Sequence, residues 1–320
     1  MSELDQVYEQ VDEQSLIENG SQRYDWRSEL HILGSLALVA SIGMPSFHQS
    51  VEISPPLVPG HEIVVGPSTN PSHLRPAESG IVNDNDGFNV YYYYAEGNYS
   101  DSARGMTATI TQADPTIGNG DLHSLAEIAE VSANQKQTVE FGWDVDPSLY
   151  NDNLPHLFVY HFLNGQPTCY NACGFVPIDN PKGIVPGETL AAGVSARYQI
   201  LYSGASKEWL ISYNGNEIGY FPESIWGGKF TKSSDETAFG EVASMSSSEP
   251  CSQMGDGVFG SNTGSTTISK FDLIDPRPIA TGAQMLFSST VSSLYNVGHE
   301  TADGFRFGGP GEASSGNCAS

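Results

Sequence analysis

The sequence has 320 residues and carries 13 Lys and Arg against 38 Asp and Glu, a net charge of −25. That balance excludes a nucleic-acid binder, which needs a basic face, and a protein held to an anionic membrane surface. Gly, Tyr and Phe are abundant and only 16% of residues are charged, which argues against a helical bundle and for short strands joined by turns.

Residues 1–30 are acidic, and Leu4, Val7, Tyr8 and Val11 fall at the spacing of a short amphipathic helix. The apolar stretch His31–Gly43 follows too much acidic chain to be a leader, which needs a short basic start. No run of 18 apolar residues spans a membrane. Residues 67–80 (PSTNPSHLRPAESG) read as a linker or extended arm. Residues 1–80 are therefore an N-terminal extension, and 81–320 the main domain.

From Phe88 onward strand signals alternate with Gly, Pro, Asn and Asp clusters, which predicts an all-β domain, a sandwich or barrel. The clearest hairpin is Trp209–Phe221, turning at Asn214-Gly215. In QTVEFGWDV, Val139, Phe141, Trp143 and Val145 form a core face, and Glu140, Gly142, Asp144 and Asp146 lie opposite. In TAFGEVASM, Glu241 is a lone acid in an apolar run, so it pairs, is neutral, or works. Two neighbouring carboxyls do not both ionise easily. One then keeps a proton in mild acid while the other activates water. Crowded acids also predict a fold that tolerates mild acid.

The other candidates are weaker. Gln253 and Tyr220 are neutral donors suited to a developing oxyanion. Tyr160 and Tyr170 could stack on a substrate proline ring, whereas Trp143 shares the core face. Cys169 and Cys173 are spaced to close a small loop. Cys251 and Cys318 then pair with each other, anchoring a Gly/Ser-rich tail that is otherwise loose from about Gly304, or remain two free thiols. An even, small set of cysteines fits an oxidising compartment.

Other motifs fail on context. Gly255, Gly257 and Gly260 spell G-x-G-x-x-G, but a strand-like segment follows where a dinucleotide site needs a helix. Asp84–Gly87 starts like a calcium loop without its closing glutamate. No H-E-x-x-H or G-x-S-x-G occurs, so no metal, cofactor or serine nucleophile is expected. Asn98-Tyr99-Ser100 is a glycosylation sequon.

The stretch from VEFGWDVDPSLY through CYNACGFV, with IGYFP, FGEV and CSQMGDGVF following in order, resembles the neprosin family of glutamic peptidases over about Phe88–Ser261. The resemblance implies a twisted antiparallel β-sandwich, usually secreted, with an N-terminal propeptide where residues 1–80 lie. It implies an endopeptidase cutting beside proline, with catalytic glutamates at the positions of Glu140 and Glu241. The expected partners are proline-containing peptide or protein substrates, and the enzyme is expected to be a monomer. The competing reading is a non-catalytic sandwich that binds carbohydrate or protein.

Overall fold

The computed structural model describes residues 66–67, 80–83, 89–245, 248–275, 285–312 and 318. All belong to one compact unit, residues 57–320. The helix expected near Leu4–Val11, most of the 67–80 arm and the calcium-like Asp84–Gly87 turn lie outside the described residues.

Two antiparallel sheets form the unit, as the strand pattern predicts. In the first, β1 (Gly80–Asn83) pairs β2 (Asn89–Tyr99), which pairs β12 (Asp235–Ser244). Then follow β4 (Asp121–Val131), β5 (Thr138–Val145), β6 (His156–Leu163) and the two-residue β7 (Gln166–Pro167). A further strand, β14 (Leu286–Ser289), also pairs β2. The second sheet runs β15 (Asn296–Thr301), β16 (Gly304–Gly308), β13 (Thr266–Ile274), β3 (Gly105–Thr111), β9 (Ser195–Ser203), β10 (Glu208–Tyr213), β11 (Asn216–Pro222) and β8 (Val176–Pro177).

The expected hairpin is the β10–β11 pair. Asn214 and Gly215 both adopt positive φ, 49° and 76°, as a tight two-residue turn requires. The tail is tied down, as the Cys251–Cys318 pairing implies. Gly304–Gly308 is a sheet strand, because Phe305 and Phe307 between its glycines are buried in the core. Both cysteine pairs, Cys169–Cys173 and Cys251–Cys318, are disulfides.

The two sheets bury their strands differently. β9 and β10 alternate buried and open residues, as a sheet with one wet face should. β4, β5 and β12 are buried along almost their whole length, on both faces. One face of the first sheet packs Ala126, Ile128, Phe141 and Trp143 into the same core as Met106, Tyr198, Ile200 and Trp209 of the second. Trp143 is thus a core residue, and its indole N–H donates to the Thr111 carbonyl at 3.1 Å. The opposite face carries a separate aromatic cluster that includes Tyr92, Tyr94, Phe158, Tyr160, Tyr170 and Phe239.

Two acids sit on the core-facing side. Glu130 of β4 stands directly opposite Glu236 of β12, and both are fully buried. Burial, then the Glu236 charge, pushes Glu130 well above the usual carboxylate range. Burial raises Glu236 to about 7, although the Ser233 hydroxyl donates to it. A carboxyl raised in the folded state holds its proton while the unfolded chain releases it. It therefore costs stability as pH climbs from the ordinary carboxylate range toward 7, and returns it as pH falls. The melting temperature should be higher at pH 5 than at pH 7.5, and Glu236→Gln should flatten that difference. Scanning calorimetry across this range checks both, and a steady drop toward acid would contradict the account.

Candidate active site

The aromatic face of the first sheet also carries the acids. Strand alternation puts His123, Leu125, Glu127 and Ala129 of β4 on it, with Glu140, Gly142 and Asp144 of β5 and Phe239 and Glu241 of β12. The sequence places these residues there because each alternates with a core-facing neighbour such as Ala126, Ile128, Phe141 or Val242. Glu127, Glu140, Asp144 and Glu241 are all 0% exposed.

Glu140 and Glu241 share this face but are not neighbours in the sheet. β4 runs between them. Glu140 lies opposite Ala129, and Glu241 opposite Leu125, four residues further along that strand. Midway on β4 stands Glu127, opposite Gly142 on one side and Phe239 on the other. It is a diagonal neighbour of both glutamates, at the ~7–8 Å backbone spacing such pairs show. The site is therefore an oblique row of three carboxyls, Glu140–Glu127–Glu241, with Asp144 across Leu125 from Glu241.

Burial dominates their protonation. It raises Glu140 well above the ordinary range, and the Glu241 charge adds to this. Glu127 is raised by burial, then by Glu140, Glu241 and Asp144. Burial also raises Asp144, against an opposing pull from His123. The carboxyl oxygens of Glu127, Glu140 and Asp144 make no hydrogen bond of good geometry among the described residues.

Among the described residues, His123 is the basic side chain that faces this row. The His123 Nε2 lies 3.0 Å from the Glu241 Oε1, with both side chains fully buried. Burial pulls the imidazole pKa down. The Glu241 hydrogen bond and the charges of Asp144, Glu241 and Asp146 outweigh it and raise it to about 9. His123 is thus held as an imidazolium at one end of the row. The two glutamates differ in their surroundings: Glu241 has that imidazole at 3.0 Å, whereas Glu140 makes no hydrogen bond among the described residues and is raised by burial.

Aromatic rings border the acids. Tyr160 stands opposite Glu140 and packs edge-on against Tyr170, with ring centroids 5.0 Å apart. The Tyr170 hydroxyl favours ionised Asp144, yet Tyr170 is buried and not the surface residue its loop position suggests. A piece of the arm reaches this border. The Tyr92 hydroxyl donates to the Gly66 carbonyl at 2.9 Å, and Gly66 sits against the Tyr160 ring. Pro67 beside it is buried.

Other candidates lie elsewhere. Tyr220 is on β11 of the second sheet, alternating with core-facing Phe221, so it points away from the acids. Gln253 accepts from the Thr116 N–H at 3.0 Å, in a loop whose Met254 packs in the inter-sheet core. Tyr220 thus lies apart from the acids, and the Gln253 side chain is engaged with Thr116. Gly255, Gly257 and Gly260 belong to this loop, and strand β13 follows them. No group of three or more His, Cys, Asp or Glu among the described residues is arranged to hold a metal. Asn98 is 4% exposed within β2, so its sequon is inaccessible in the fold.

Residues 120–310 match the neprosin family profile. Solved structures that resemble the chain include scytalido-glutamic peptidase with a transition-state analogue, at 9% identity and TM-score 0.39, covering 69% of this chain and 99% of that one. SCP-B, an eqolisin-family peptidase in complex with a tripeptide, aligns at 9% identity and TM-score 0.33 over the same shares. A glycoside hydrolase family 16 endo-glucanase from Bacteroides ovatus aligns at 14% identity and TM-score 0.29, covering 51% and 70%. At these scores they are likenesses, and the assignment rests on the sequence match. That match makes the chain an all-β hydrolase of the peptidase class. The chain belongs to the neprosin family of glutamic peptidases.

Gly142 makes the row possible. A Cβ there would lie 2.2 Å from the Ala126 carbonyl oxygen and 2.6 Å from the Glu127 Cβ. Backbone cannot yield as a flexible side chain would. Gly142→Ala should cost about 1–3 kcal/mol, as overpacking does. Thermal melts should show a drop of several degrees, and a variant that melts like the parent would contradict the tight packing described.

Proposed function

We propose that the chain is a secreted endopeptidase that cleaves beside proline in acid, using Glu241 as general base and Glu140 as general acid. The observation that carries this reading is the unequal surroundings of the two glutamates on one buried face: an imidazole 3.0 Å from Glu241, and burial that raises Glu140. Glu241, paired with His123, takes a proton from a water. That water attacks the scissile carbonyl, and neutral Glu140 gives its proton to the leaving nitrogen. Acid favours the cycle because Glu140 must be protonated when substrate arrives. The ring border of Tyr92, Tyr160 and Tyr170 suits a flat, apolar pyrrolidine, and the chain's own Gly66-Pro67 already lies at that border. Two disulfides fit secretion, and no described helix is long and apolar enough to cross a membrane.

The same contact supports residues 1–80 as a propeptide that restrains the site. A digest of a proline-rich unstructured polypeptide across pH 3 to 7, mapped by mass spectrometry, tests the whole reading. Cuts should fall beside proline, strongest in acid, and should vanish with Glu140→Gln and with Glu241→Gln. Removing residues 1–80 should raise the rate. A chain that is inert even when trimmed is instead a binding module.

His123 gives a sharper test. Its ring nitrogen lies 3.0 Å from the Glu241 carboxyl and orients it. In His123→Gln the cleavage rate should fall by about 100-fold, the scale of a misplaced catalytic group. Cleavage at the parent rate would deny His123 its role.

A further inference from the structure

The cycle just described leaves the two glutamates in the wrong states. After one cleavage Glu241 carries the proton taken from water. Glu140 has lost its own to the new amine. The next turnover needs that proton moved from Glu241 to Glu140. They are separated by one intervening strand and four residues of register. Strand spacings of about 4.8 Å and rises of about 3.3 Å per residue put their backbones too far apart for two glutamate side chains to meet easily.

Glu127 stands where a carrier is needed. It lies on the intervening strand, two residues from each glutamate's register position and on the same face. Both its oxygens are buried and have no hydrogen-bond partner among the described residues. Leaving two carboxyl oxygens so placed is costly unless they serve something in the cleft. The space beside it exists because residue 142 is glycine, whose Cβ would strike the Glu127 backbone and Cβ. The titratable groups facing it are Glu140 and Asp144 from β5, Glu241 from β12 and His123 from its own strand. Tyr160 from β6 and Glu96 from β2 lie further along the sheet.

We propose that Glu127 is a positioning residue that resets the site: held as a neutral acid between Glu241 and Glu140, it hands its proton to Glu140 and takes the one Glu241 has acquired. One O–H bond breaks and one forms at Glu127 in each turnover. Glu241 ends ionised, Glu140 protonated and Glu127 unchanged. No outside acid or base is consumed. The inference rests on the peptidase reading and adds to it a third carboxyl with its own kinetic signature.

The test is a stopped-flow assay on an internally quenched, proline-containing peptide at pH 4.5. It uses the full chain, pre-incubated in acid until its activity is constant. Glu127→Gln replaces the neutral acid with a neutral isostere that cannot carry the proton. It should melt within a few degrees of the parent at this pH. It should release about one product per site in a fast phase, then turn over about 100-fold more slowly, the scale of a lost proton-transfer group. Glu127→Ala opens room for a small acid, and its steady rate should rise with added formate. Steady turnover of Glu127→Gln at the parent rate would overturn the proposal. So would equal loss of the first and later turnovers with no formate rescue in Glu127→Ala, which marks packing alone. Failure of the peptidase reading looks different: the parent itself then cleaves nothing, or Glu140→Gln and Glu241→Gln cleave as it does.

Discussion

Two-sided burial of β4, β5 and β12 is the constraint on which the rest depends. A sheet with one wet face lets its polar side chains ionise freely. Here the second face is dry, and four carboxyls sit on it with one imidazolium. Low dielectric makes isolated charge expensive and makes a single ion pair decisive. Glu241 therefore has an imidazole beside it, while burial and then the Glu241 charge raise Glu140. The chemistry follows from where the solvent is kept out more than from any unusual side chain.

The same constraint explains the scarcity of cations around the acids. A lysine or arginine near the row would favour the charged form of Glu140 or Glu127. A chain with 13 basic residues among 320 is well suited to avoiding this. The acid-heavy composition thus bears on the site as well as on solubility.

Much of this was legible in the sequence. Period-two alternation in QTVEFGWDV separated Glu140 from Phe141 and Trp143 correctly, and Asn214-Gly215 marked a real hairpin. The strands of the second sheet alternate visibly because one face meets water. The central strands of the first sheet were harder to interpret. In DLHSLAEIAEV polar and apolar residues mix on both faces, so His123 and Glu127 carried no signal until the register set them beside Glu241 and Glu140. Long-range pairing, with more than a hundred residues between β4 and β12, is what local pattern cannot supply. Tyr220 was misplaced for the same reason: its chemistry suited the task, but the chain carries it to the other sheet. Phe305 and Phe307 were overlooked because they stand in a short strand between glycines.

The Cys251–Cys318 bond closes a loop whose ends are 67 positions apart, enclosing β13 to β16. In the chain-entropy picture a loop of this length is worth about 4 kcal/mol against unfolding. Its durability depends on thiolate, because exchange proceeds only through the deprotonated sulfur. In an acidic medium that species is nearly absent. The cross-link is then fixed for the life of the molecule, and an edge of the second sheet is secured by slow sulfur chemistry in the same medium that protonates the carboxyl row.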